Sequence, residues 1–150
     1  SRVGSLLFLY VSGAVKESLM LAEFSAEKFN LSSPIGLNLS FKNKGDIHVK
    51  PQGQLVISNQ RGEQIFKKKL DESLITPGNY WERSYDVSDL SWQDIGKNKA
   101  TVYAQYGIKN KPISDTISFW YLPYKFLAPI VLLLILISSW FLFNKYKQSN

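Results

Sequence analysis

The run Leu122–Phe143, LPYKFLAPIVLLLILISSWFLF, constrains this chain more than any other stretch. From Phe126 to Phe143 it carries no charge, and about 18 residues at helical rise cover roughly 27 Å, close to the ~30 Å hydrocarbon core of a bilayer. The expectation is a single transmembrane helix over 122–143. Tyr121, Tyr124, Trp140 and Tyr146 stand where interfacial aromatic belts belong, and Lys125, Lys145 and Lys147 flank the run, so these seven side chains are the expected membrane-interface anchors. A buried core helix is the competing reading, but no amphipathic helical period elsewhere supplies a partner to cover it. Two lysines after the run against one before it place the short basic tail 144–150 in the cytoplasm and the N-terminal domain outside, at a plasma membrane. The lipid bilayer is therefore the first expected partner.

Of the 150 residues, those ahead of the run suffice for one domain with its own core. The chain opens on Ser1 rather than Met and reads as a piece of a longer protein. Residues 1–17 include the apolar run Leu6–Val11, which reads as the last strand of a preceding domain followed by a linker, with a signal remnant as the alternative. Cysteine is absent, which excludes disulfide frameworks, thiolate metal sites and cysteine nucleophiles. The net charge is +6, and half of it belongs to the flanks of the apolar run. The mild remainder fits a solvated surface or an anionic partner, and no basic helix or arginine-rich arm argues for nucleic acid.

From Ser18 to Tyr121 the pattern turns to period two, which half-buried strands require. Ile35, Leu37, Leu39 and Phe41 alternate with Gly36, Asn38, Ser40 and Lys42, and the run ends at the turn residues Asn43-Lys44-Gly45-Asp46. Further strands are expected at Leu19–Phe24, Gln54–Asn59, Glu63–Leu70, Tyr80–Val87, near Ala100–Ile108 and at Ile113–Tyr121, with Ser88–Gly96 as a corner that tucks Leu90, Trp92 and Ile95 under the sheets. About seven strands and almost no helical period predict an all-β chain: an immunoglobulin-like β-sandwich over 18–121 followed by the C-terminal transmembrane helix. In that frame Tyr103 or Tyr106 is a candidate tyrosine corner.

The segment Phe41-Lys42-Asn43-Lys44-Gly45-Asp46-Ile47-His48-Val49-Lys50-Pro51 resembles a turn of bacterial surface immunoglobulin-like domains, and Thr76-Pro77-Gly78 resembles the Pro-Gly turn that precedes a later strand in them. With Gly107 after Tyr106 and the apolar C-terminal run, the layout is similar to the membrane-proximal part of WxL-interacting surface proteins. The resemblance implies an extracellular domain that binds cell-wall components or partner surface proteins. Leu122-Pro123-Tyr124-Lys125-Phe126 lacks the Thr and Gly of an LPxTG sorting signal, so the expected anchor is a permanent one.

No residue set points to catalysis, a cofactor or a metal. His48 is the single histidine and stands beside a turn, and the adjacent Asp71 and Glu72 diverge in an extended chain. Two binding features are expectations. Trp81, Arg83 and Tyr85 share one face of a strand and are either core or a recognition face, since Trp, Tyr and Arg dominate binding hot spots. Lys67, Lys68 and Lys69 put ammonium groups on both sides of an extended segment, which protects an edge strand or forms a patch for an anionic polymer. The reading that results is a non-enzymatic, membrane-anchored surface protein whose sandwich is a stalk or binding module for cell-wall polymer or surface proteins. The alternative is an assembly subunit whose helix packs against other membrane helices.

Overall fold

The computed structural model describes residues 15–148, with side chains through Trp140. Its strands are β1 (Leu19–Ala26), β2 (Phe29–Asn30), β3 (Ile35–Asn43), β4 (Gln52–Ser58), β5 (Gln64–Lys69), β6 (Tyr80–Val87), β7 (Gly96–Tyr106) and β8 (Lys111–Tyr121). A short 3-10 helix, Trp92–Asp94, precedes β7, and helix α1 (Tyr124–Gln148) follows β8. One sheet has the order β1-β3-β6, and the other β2-β8-β7-β4-β5. The pairings are antiparallel except that β2 runs parallel to β8, joining Phe29 to Trp120 and Asn30 to Tyr121.

Period-two sequence becomes a two-layer core directly. Ile35, Leu37, Leu39 and Phe41 of β3 face Leu55 and Ile57 of β4, Ala100 and Val102 of β7 and Phe119 of β8 across the sandwich, all buried. Each such aliphatic or aromatic side chain contributes ~1.5–3 kcal/mol by leaving water. Phe41 and Trp81 meet with ring centroids 5.7 Å apart.

Buried asparagines tie the two ends of the sandwich. At one pole the Asn43 side chain donates to the carbonyls of Ile47 and Ile75, both at 2.8 Å, and accepts from Gly45 N at 2.8 Å. Its backbone carbonyl accepts from Gly78 N, so the Phe41–Pro51 turn and the Thr76-Pro77-Gly78 turn are one hydrogen-bonded unit. A Cβ at Gly45 would stand 2.4 Å from the carbonyl oxygen of Lys16, so the incoming chain can pass there only over glycine. At the other pole Asn59, Asp94 and Asn98 are buried together. Asn59 accepts from Arg61 N and Glu63 N, and Asn98 donates to the carbonyl of Asp94 at 2.9 Å. Ser91 and Asp94 cap the 3-10 helix reciprocally.

Four expectations need correction here. Among the described residues no helix is long and apolar enough to cross a membrane. The uncharged run of α1 opens at Phe126, after Lys125 in its first turn. Pro129 stands inside this run. The transmembrane helix over 122–143 and the single-pass plasma-membrane placement with an outer domain and cytoplasmic tail are therefore replaced by a C-terminal helix. The all-β class with about seven strands becomes eight strands in mixed sheets plus that helix. Trp92 is 65% exposed rather than tucked under the sheets, because the capping of the 3-10 helix turns Asp94 inward instead. Tyr103 is exposed on a sheet's outer surface and makes no tyrosine corner. The strand and linker expected at 1–17 lie mostly outside the described residues; Lys16 and Glu17 are held to the sandwich, as described below.

Candidate functional site

The two sheets turn outer surfaces of opposite chemistry to solvent. Strand pairing fixes which residues share a surface, because paired residues point to the same side. On the five-stranded sheet, Leu55, Val102 and Ala100 face the core, so the alternate positions face out. These are Lys67 and Lys69 of β5, Gln54 and Val56 of β4, Lys97, Lys99, Thr101 and Tyr103 of β7, and Ser114, Thr116, Ser118 and Trp120 of β8. No outward strand position of this sheet carries a carboxylate. On the three-stranded sheet the outward positions include Glu23, Glu82 and Asp86, against the single cation Lys42.

Among the described residues Lys67, Lys97 and Lys99 form no ion pair, whereas Lys69 and Lys50 share Glu72 at 2.6 and 2.8 Å. Hydrogen bonds and charge from Lys50 and Lys69 pull the Glu72 pKa from 4.5 to about 2. At the rim beside the β4–β5 turn, the Asn59 amide and then Arg61 hold the Glu63 carboxyl below its usual range. A shallow groove of about 740 Å³ crosses the outer surface between Lys67, Gln54, Tyr103 and Ser114. Its floor depends on Gly53, where a Cβ would stand 1.9 Å from the Tyr103 carbonyl oxygen, so β4 and β7 approach there only over glycine.

The triplet Lys67, Lys68 and Lys69 is divided by the pleat. Lys67 and Lys69 face outward, while Lys68, paired with the buried Leu55, lies on the opposite side at the open edge of the sheet. β5 is an edge strand, and an edge lysine turned toward the core side obstructs pairing with another chain. The set Trp81, Arg83 and Tyr85 is corrected as a recognition face: Trp81 and Tyr85 are 5% and 7% exposed and belong to the core. Arg83 lies at the sandwich rim, 3.2 Å from Asp71 and stacked on the Trp81 ring at 5.6 Å. Burial, and then the Asp71 carboxylate, push the Tyr85 phenol up.

Of the expected membrane-interface anchors, Tyr121 is 4% exposed and closes the core at the end of β8, where burial raises its pKa. Tyr124 and Trp140 are exposed on α1. Lys125 is exposed in its first turn, and the side chains of Lys145, Tyr146 and Lys147 lie outside the described ones. Without a spanning helix these positions define no interface belt. His48 is exposed beside its turn. Among the described residues no group of three or more His, Cys, Asp or Glu side chains could hold a metal ion.

Sequence reasoning found Lys67 and Lys69 but missed Lys97, Lys99 and the absence of facing carboxylates. The alternation Lys97, Lys99, Thr101, Tyr103 was the available signal; the register that brings it beside β5 was not.

No family profile matches the sequence, and no curated protein does. Among solved structures, the chain is similar to the Pseudomonas fluorescens alkylpurine DNA glycosylase AlkC bound to DNA containing an abasic site analog, at 12% identity and TM-score 0.48, over 69% of this chain and 30% of that one. It is similar to a β-glucosidase from Listeria innocua in complex with glucose, at 15% identity and TM-score 0.45, over 75% and 17% of the two chains. A β-glucosidase from Erythrobacter marinus matches at 16% identity and TM-score 0.48, over 70% and 15%. The chain thus spans less than a third of the length of each. Similarities of this size assign neither substrate nor activity.

Proposed function

We propose that the sandwich is a non-enzymatic module, a stalk and binding unit for components of a cell envelope or for partner surface proteins. The observation that carries this reading is the path of the chain. Residues Lys16 and Glu17 are fixed at one pole: Asp46 N donates to the Lys16 carbonyl at 2.9 Å, and Ile108 N in the β7–β8 turn donates to the Glu17 carboxylate at 3.1 Å. β8 then leaves at the other pole, where Leu122 N donates to the Asn30 carbonyl and α1 begins. A domain entered at one end and left at the other acts as a spacer in line with its neighbours and leaves both broad surfaces free. The resemblance of Phe41–Pro51 to a turn of bacterial surface immunoglobulin-like domains points the same way. The test is sedimentation of the full chain with insoluble envelope material, together with assays on glycoside and phosphoester substrates. Co-sedimentation without turnover supports the proposal, and turnover or failure to sediment overturns it.

A second reading is favoured by α1. Its side chains are apolar on every side and exposed, Leu136 at 61% and Trp140 at 66%, and a helix of that kind is normally covered. In this reading the chain is an assembly subunit whose α1 packs against helices of a partner. A monomer in gel filtration and cross-linking of the full chain would count against it.

A further inference from the structure

We infer that the outer surface of the five-stranded sheet is the binding surface, and that its ligand is a linear polymer of hydroxyl-rich units that carries regularly spaced anionic groups, with poly(glycerol phosphate) as its probe. The inference rests on the binding-module reading above and names its ligand.

The register places four lysines along one oblique line. Lys69 and Lys67 are successive outward residues of β5, about 7 Å apart, and Lys99 and Lys97 are the same on β7, two strands away. Strand spacing and rise put the whole line at roughly 22 Å, with successive lysine positions separated by about 7 to 12 Å along the backbone. Such a line suits a chain whose charges recur along its length better than a single compact anion. Three of the four lysines are unpaired among the described residues, and the carboxylate that lines the groove beside them, Glu72, is held by Lys50 and Lys69.

The type of cation narrows the choice. Every cation of the line is a lysine, a point charge that holds phosphate or carboxylate without the planar fork of arginine, so the surface suits the spacing of charges along a chain rather than the shape of one anion. Between and beside the lysines lie Gln54, Thr101, Ser114, Thr116 and Ser118, neutral donors and acceptors suited to hydroxyls. Nucleic acid also carries phosphodiesters, but its single strands need successive aromatic platforms for stacking. Here Tyr103 and Trp120 stand about 20 Å apart by register, and the third exposed aromatic, Phe29 of β2, pairs with Trp120 at one end, so the middle of the lysine line has no stacking platform. The three-stranded sheet, with Glu23, Glu82 and Asp86 outward, repels the same ligand.

The experiment measures binding of the full chain to poly(glycerol phosphate) over a salt series. Neutral dextran and single-stranded DNA of equal charge serve as competitors. The wild-type chain should bind with a log–log salt slope of about −3, as four phosphate contacts imply. Lys67→Gln/Lys97→Gln/Lys99→Gln should weaken binding roughly 30-fold and flatten the slope to about −1. The corresponding Arg variant should retain binding, and Lys42→Gln/Lys44→Gln should leave it unchanged. A wild-type slope flatter than about −1 overturns the inference without reference to any variant. So do equal losses from the Lys42/Lys44 variant and tighter binding of DNA than of poly(glycerol phosphate). If the chain sediments with envelope material and the triple Gln variant sediments equally, the inference fails while the binding module stands. If the wild type binds neither, both fall.

Discussion

The two outer surfaces of the sandwich are built on the same core by the same alternation, yet they differ in what they leave exposed. The three-stranded sheet mixes Glu23, Glu82 and Asp86 with Lys42, whose ammonium donates to Tyr80 Oη at 2.9 Å and lies over that ring. The five-stranded sheet carries lysines and no outward carboxylate: Glu63 and Glu72 are paired at its rim, and Asp115 of β8, opposite Val102, falls on the other side of the sheet. Folding requires of either surface only that it be polar. The segregation of sign between them is the feature on which the proposed polyanion site rests.

The largest way to break the contrast is to break the frame that both surfaces share. Asn43→Ala leaves the Ile47 carbonyl and Gly45 N without their partner, takes one of two donors from the Ile75 carbonyl, and should cost about 2–3 kcal/mol in urea denaturation. Gly53→Ala acts on the five-stranded sheet alone. The added methyl meets the Tyr103 carbonyl oxygen, and a loss of about 2–3 kcal/mol is expected, with amide-exchange protection falling in β4 and β7 before β3 and β6.

Glu23→Lys/Glu82→Lys/Asp86→Lys equalises the two surfaces. Stability should stay within about 0.5 kcal/mol, since all three side chains are exposed, while poly(glycerol phosphate) binding should rise to about two sites per chain in a titration. Smallest is the pH effect of Glu72. Its folded pKa is depressed, so its contribution is complete above the unfolded value of 4.5 and is lost as pH falls toward about 2. Glu72→Gln should remove that part of the acid-side slope in thermal melts. By freeing Lys69 it should also tighten polyanion binding slightly at neutral pH.

Strand positions were readable from the chain because burial on one side imposes alternation. Ile35–Phe41 and Tyr80–Val87 show this, and the edge character of β5 followed from three successive lysines. The basic surface was only half readable, because Lys97 and Lys99 join Lys67 and Lys69 through a register that spans a third strand, and no local pattern encodes it. Trp81 and Tyr85 show the same limit from the other side: alternation tells that residues share a face, and only the second sheet decides that the face is covered. The asparagine hubs escaped notice because an asparagine in a turn reads as solvated until the carbonyls it meets, such as that of Ile75, arrive from distant sequence. The helix after Tyr121 was the strongest signal in the sequence and also a reading that needed correction, since among the described residues no helix is long and apolar enough to cross a membrane.

The placement of Lys16 and Leu122 at opposite poles also sets how the domain would carry tension. A pull on both ends draws β1 from its N-terminal end along β3, and β8 from its C-terminal end along β7. The antiparallel ladder bonds lie perpendicular to that axis. The rungs are then loaded together in shear instead of opening one after another, and Ile108 N and Lys111 Nζ, bonded to Glu17, hold the β7–β8 turn to the point where the force enters. Rupture must begin by sliding a whole strand.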